Sequence, residues 1–249
     1  MIDHVYILIP LIALFAFFLK GITGTGTSTV IIALSSFLIP AKTTVVLASF
    51  INIFGGLAMI KVDPVPLSFR YWGPVAFMMI VGSVIGAWTL AVIPNESFYI
   101  VLGSAFFLAS LWFLFRNHKN NENEMSSPSQ SSASDLSVGA FAGFCGGFIG
   151  INAPPLILHF GRVLNKGSLR RLLVLIFIPA AIAQTLTFAH AGLLNKQIVF
   201  MGLSMLPSLA IGIYLGNKAH FKISETMFKK ILGILLLVVS ARLLLKGIV

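Results

Sequence analysis

Eight apolar stretches run along the chain, at 5–39, 43–60, 69–93, 97–115, 136–160, 172–191, 197–215 and 226–245, with short polar or basic turns between them. A helix needs roughly 20 apolar residues to cross the hydrocarbon of a bilayer, so this pattern predicts a polytopic, all-α membrane protein. Two stretches are interrupted, the first by GITGTGTST at 21–29 and the fifth by GFIGINAPP at 147–155. The first stretch has 35 residues; as a straight helix it would measure about 52 Å, so it is expected to fold back at its glycines. Hydrocarbon offers exposed backbone no water, and such breaks survive only against protein or around a polar cavity. Breaks at corresponding places in two halves of a membrane chain point to a substrate site.

The halves repeat. At an offset of 126, Phe15, Phe18, Gly21 and Gly24 fall on Phe141, Phe144, Gly147 and Gly150. At 130, Gly82, Gly86, Phe98 and Gly103 fall on Gly212, Gly216, Phe228 and Gly233. Two runs of constant spacing argue for duplication. The expected division is an N-terminal membrane repeat at 1–116, a flexible cytoplasmic linker at 117–135 and a C-terminal repeat at 136–249. The Gly82/Gly86 and Gly212/Gly216 pairs are GxxxG patterns that let helix backbones approach. Packing within the monomer is their first reading, and a homodimer seam the alternative.

Composition agrees with the pattern: 57% of residues are hydrophobic and 10% charged. The longest polar stretch, 117–135, has too few apolar residues to form a core. The net charge of +10 comes from basic residues at the ends of apolar segments. Such residues set membrane topology, and without an aromatic-interleaved patch nucleic acid is excluded as a partner. Cys145 is the only cysteine, which rules out an internal disulfide and a multi-cysteine metal site, and no cofactor is expected. The start MIDHV lacks a basic flank and a small-residue cleavage pattern, so the first apolar segment is expected to stay in the mature protein.

Charge bias tests the folded-back segments. If both return to the side they entered, twelve basic residues lie on one side (Lys61, Arg70, Arg116, Lys119, Arg162, Lys166, Arg170, Arg171, Lys218, Lys222, Lys229, Lys230) and four on the other (Lys42, Lys196, Arg242, Lys246). Straight crossings give nine against seven, which decides nothing. The bias favours two hairpins, external termini and an internal linker. Each half then holds a broken, re-entrant helical segment plus three transmembrane helices, and the repeats have inverted topology.

The first break offers Gly24 and Gly26 for unusual backbone angles and Thr25, Thr27 and Ser28 for hydroxyls. Free N–H groups at the start of the following half-helix carry partial positive charge and suit an anion. Lys20 beside the break either adds a full charge or snorkels to the interface. In the second break Gly150 and Asn152 are the candidates, with Pro154 and Pro155 at a helix start where their missing N–H groups cost little. Asn52 and Gln184 lie about mid-span, where polar side chains face either a neighbouring helix or a cavity. Ser49, Thr185 and Thr187 share that depth. His159 and His190 are candidate proton carriers, and Arg170 and Arg171 mark a cytoplasmic boundary or an access funnel for anions. GTGTST lacks the Lys-Ser/Thr ending of a nucleotide-binding loop, so ATP is excluded.

The small-residue break followed by an aliphatic stretch, a polar-dotted second span, the turn Phe69-Arg70-Tyr71-Trp72, a GxxxG-bearing third span and a Leu-rich closing span, all repeated after a linker, resembles the sulfite exporter TauE/SafE family. The likeness extends from Leu14 to Leu245. It implies a multi-pass carrier in the bacterial inner membrane for small sulfur-containing oxyanions or organosulfonates. The usual family break reads Gly-x-Gly-Gly-Gly, an aliphatic run and Pro; Gly24, Gly26 and Gly150 keep parts of it, and Thr25, Thr27, Ser28, Asn152 and Ala153 depart. The leading expectation is a secondary anion transporter working by alternating access, with Lys20, Gly24, Thr25, Gly26, Thr27, Ser28, Asn52, Gly150, Asn152 and Gln184 binding the substrate. A passive anion channel is the main alternative, followed by a non-transporting assembly protein. An intramembrane enzyme lacks a Gly-x-Ser-Gly nucleophile, a His-Glu metal motif or paired buried aspartates, so no catalytic or metal residue is assigned.

Overall fold

The computed structural model describes residues 2–23, 26–60, 67–115, 130–219 and 225–248. Gly24, Thr25 and most of the 117–135 linker lie outside the described residues. The described chain is helical throughout: α1 Ile2–Thr23, α2 Thr27–Ser35, α3 Ala41–Met59, α4 Phe69–Val92, α5 Asn95–Phe115, α6 Ala133–Ile149, α7 Ala153–Phe160, α8 Lys166–His190, α9 Lys196–Ser204, α10 Leu206–Ala219 and α11 Glu225–Ile248. Four stretches are long and apolar enough to cross a membrane: Ala41–Met59, Phe69–Val92, Gly167–His190 and Lys196–Lys218. Ile7, Leu11, Phe77, Ile85, Leu108, Leu186 and Val238 are among the large apolar side chains exposed on the outside. In water these would be a liability, whereas against lipid tails they are the expected surface.

Two boundaries differ from the sequence expectation. Helix α6 starts at Ala133, three residues before the expected apolar span at 136–160, because Ser132 and Asp135 form a reciprocal capping box. This satisfies N–H groups that the helix start leaves open. The expected span 197–215 carries a turn at Met205, between α9 and α10. Pro207 follows in the first turn of α10, where its missing N–H costs no helical hydrogen bond.

The glycine pairs are used inside the monomer. A Cβ at Gly82 would strike the Ala140 carbonyl oxygen, and one at Gly86 that of Phe144. In the other half a Cβ at Gly212 would lie 2.8 Å from the Leu14 oxygen, and one at Gly216 would strike the Phe18 oxygen. Leu14 and Phe18 are the residues 126 positions before Ala140 and Phe144. The α4–α6 and α1–α10 contacts are therefore one contact made twice. Gly147 repeats the theme against Ser83 and Ala87, as Gly21 does against Ile213 and Asn217. A dimer, if formed, has to use another surface.

Helix directions follow from the paired residues. In α3 and α8, Ser49 meets Gln184, Gly56 meets Ile178, and Ile60 meets Arg171, so the two helices run antiparallel. Helices α5 and α11 are antiparallel too, since Gly103 lies on Leu244 and Gly247 on Glu96 and Ile100. The α6–α7 segment turns back on itself. Its open end is tied by the His159 Nε2 to Asp135 Oδ1 hydrogen bond of 2.6 Å and closed by Tyr71 packed edge-on against Phe160. Helices α1 and α2 also pack against each other.

Candidate functional site

Both breaks end in a left-handed glycine. Gly26, with φ 87°, is the N-cap of α2, and Gly150, with φ 75°, is the C-cap of α6. An L side chain at either position is strained, which is why the chain can turn here without unravelling the flanking helices. The N-cap of α7 is Asn152, 126 positions after Gly26. Neither cap supplies a side-chain hydrogen bond to its helix. The first intrahelical bond in α2 is Val30 N–H to the Gly26 oxygen. The N–H groups of Thr27, Ser28 and Thr29 thus have no acceptor within the helix.

The two helix starts open on one cavity. It is lined from the first half by Lys20, Gly26, Thr27, Ser28, Ala48, Ser49 and Asn52 and from the second by Gly146, Gly150, Asn152, Phe177, Ala181 and Gln184. Of the ten residues expected to bind the substrate, the eight that lie in described residues are all in this lining; Gly24 and Thr25 are outside the described residues. The centre of a water-sized sphere can occupy about 30 Å³ of the cavity, so water and small ions fit inside.

Lys20 is 6% exposed, which removes the snorkelling alternative. Its ammonium sits 5.9 Å from the Phe17 ring centre and beside Gly55, whose missing side chain makes room for it. No carboxylate pairs it among the described residues. A buried cation without a partner is costly, so an anion in the cavity would relieve it. Thr27 is 2% exposed and its hydroxyl has no hydrogen-bond partner among the described residues. Asn52 Nδ2 donates to Ser28 Oγ at 2.6 Å, which leaves the serine hydroxyl free to donate elsewhere. Gln184 is held from both sides: Ser49 Oγ donates to its Oε1 at 3.0 Å, and its Nε2 donates to Ser83 Oγ at 3.2 Å.

The other polar candidates lie elsewhere. His159 closes the α6–α7 hairpin and His190 packs edge-on to Trp88. Arg171 donates to the Ile60 carbonyl at 2.8 Å and Arg170 reaches Asn217 at 3.5 Å, so both brace helix ends. Thr187 donates to the Ala183 carbonyl of its own helix.

A family model for the sulfite exporter TauE/SafE family matches residues 9–243, nearly the whole chain. The chain belongs to that family. TauE/SafE proteins are membrane transporters of sulfur anions, and the all-helical architecture with its lipid-facing apolar surface agrees. Comparison with curated proteins and with solved structures gives no match.

Five lining or supporting residues of this TauE/SafE chain escaped the sequence reading: Ala48, Ser83, Gly146, Phe177 and Ala181. Helical spacing carried a signal for three of them. Ala48 is one turn before Asn52, and Phe177 and Ala181 precede Gln184 on the same face of α8. Ser83 carried none, because it comes from α4 and reaches the site only through Gln184.

Proposed function

We propose that this TauE/SafE protein is a secondary transporter that carries a small sulfur-containing anion, sulfite, thiosulfate or an organosulfonate, across the bacterial inner membrane by alternating access. The substrate is held between the two breaks. One observation carries this reading: the unpaired ammonium of Lys20, the open N-terminus of α2 with its unpartnered Thr27 hydroxyl, and the Asn152 cap of the other half converge on a single cavity. An anion there meets a full charge, roughly half a charge from the helix end, and hydroxyl and amide donors. The repeats are inverted across the membrane plane. In support, repeat-equivalent helices α3 and α8, and α5 and α11, run antiparallel, as a two-fold axis in that plane requires. Two hairpins that re-enter from opposite faces give the twelve-to-four basic bias and leave the linker at 117–135 in the cytoplasm and both termini outside.

Proteoliposome flux with sulfite, thiosulfate, sulfate and short sulfonates, each with and without a proton gradient, tests the function. Saturable uptake that is accelerated by substrate on the far side is the expected result. Unsaturable flux without counterflow would mean a passive channel, and no flux of any sulfur anion would remove the proposal. Reporters fused at the linker and at both termini test the topology. Termini on opposite faces would remove the inverted-repeat arrangement.

A further inference from the structure

The two walls of the cavity differ in kind. The wall from the first half carries the ammonium, the helix end and the hydroxyls, whereas α8 contributes Phe177, Ala181 and Gln184 from one face. Among the described residues, Phe177 is the only aromatic side chain in the lining. It also packs against the buried cluster of Tyr71, Leu156, Phe160, Leu172, Leu173 and Ile176. That cluster is built mainly from α4, α6, α7 and α8, so the ring has the core behind it and little room to retreat from the cavity. On the antiparallel partner helix α3, the corresponding stretch of the lining is Ala48, Ser49 and Asn52, small or polar throughout. The aromatic wall is therefore a feature of one half alone.

Size makes this wall consequential. Within the lining the centre of a water-sized sphere can move through only about 30 Å³, so a ligand there is held close against the walls. With its oxygens directed at Lys20 and the α2 amides, an inorganic oxyanion lies wholly on the charged side of the lining. A carbon chain on the sulfur has to extend away from the charged wall, toward α8. We infer that Phe177 is a specificity-determining residue that caps the length of the substrate, so that the site takes an inorganic sulfur oxyanion and turns away alkanesulfonates. This inference rests on the reading of the cavity as the anion site. The charged groups bind the oxyanion head common to both substrate classes, and the aromatic wall alone separates them.

The test measures counterflow of sulfite and of ethanesulfonate in proteoliposomes bearing the parent protein, Phe177→Leu and Phe177→Ala. In the parent, sulfite is carried in preference to ethanesulfonate. Removing the ring is expected to raise the ethanesulfonate-to-sulfite ratio by about tenfold in Phe177→Ala, the scale of discrimination a small change in apolar pocket volume gives, with Phe177→Leu between. Because the readout is a ratio, a general loss of rate from weakened packing does not imitate it. Equilibrium competition of the two anions on purified protein supplies the same ratio where flux is too slow to read. An unchanged ratio in either variant, or a parent that carries both anions equally, overturns the inference. A parent that neither binds nor carries any sulfur anion overturns the proposed function instead.

Discussion

The breaks at Gly26 and Asn152 occupy equivalent places in the two repeats and differ in chemistry. Each caps a short helix without a side-chain bond, and each opens on the same cavity. The first is followed by Thr27, Ser28 and Thr29, all with an N–H, while the second is followed by Ala153, Pro154 and Pro155, of which two have none. Proline in the first turn starts a helix well but leaves fewer donors at its end. Asn152 restores a donor through its amide. Charge follows the same division. Lys20 stands beside Gly55, whereas its repeat equivalent is Gly146, and there the space is taken by Gln184 from α8. Each half thus sets one long polar side chain over one glycine, but the chain comes from the broken helix in one case and from the span in the other, and only the first is charged. Packing between the repeats is kept alike, while the charge and the free helix-start N–H groups lie on one side of the cavity.

The largest expected effect tests the shared packing. Gly86→Leu and Gly216→Leu each force a side chain into a backbone carbonyl of the facing helix, Phe144 in one half and Phe18 in the other. Both should lose well over the about 1–3 kcal/mol typical of overpacking, because backbone cannot move aside as a side chain can. Thermal unfolding in detergent is the measurement. If one variant is tolerated and its equivalent is not, the halves do not pack alike.

Charge asymmetry comes next. Lys20→Gln should weaken sulfite binding by about ten- to a hundredfold, from the loss of a charged hydrogen bond worth roughly 1.5–3 kcal/mol. Asn152→Leu should cost about fivefold, the share of a neutral hydrogen bond of about 1 kcal/mol. Titration of both purified variants with sulfite decides the matter. Equal losses would mean that the two walls share the anion evenly.

Thr27→Val sharpens the picture of the α2 end with opposite signs in two readouts. Valine keeps the shape and removes a buried hydroxyl that has no partner among the described residues, so the empty protein should unfold at a slightly higher temperature. Anion affinity should fall by about three- to tenfold. A destabilised empty protein would show that the hydroxyl has a structural partner.

The smallest effect is expected at the open end of the second hairpin. His159→Phe removes the bond to Asp135, which remains in the capping box with Ser132. A loss of about 1 kcal/mol or less in unfolding, with sulfite affinity unchanged, is the expected outcome. A large change in affinity would tie this remote clamp to the cavity.

Much of this was legible in one dimension. Apolar runs of bilayer length, two glycine-rich interruptions and a constant offset between halves are local properties of the chain, and they name the spans, the duplication and the breaks. Even Asn52 and Gln184 announce themselves, because a polar side chain at that depth in an apolar run needs an internal partner. The tertiary structure decided the rest. No local signal says that Lys20 turns inward over Gly55 and not outward to the interface, since the space is made by a glycine on another helix. None reveals that Ser83 and Ser49 clamp Gln184, or that Phe177 walls the cavity, because helical spacing tells which residues share a face but not what that face meets. The second break folds back through a contact between Asp135 and His159, and the GxxxG pairs are spent inside the monomer on carbonyls far away in sequence. Each of these depends on which helices lie side by side and in which direction, a property of the packed bundle and not of any one segment.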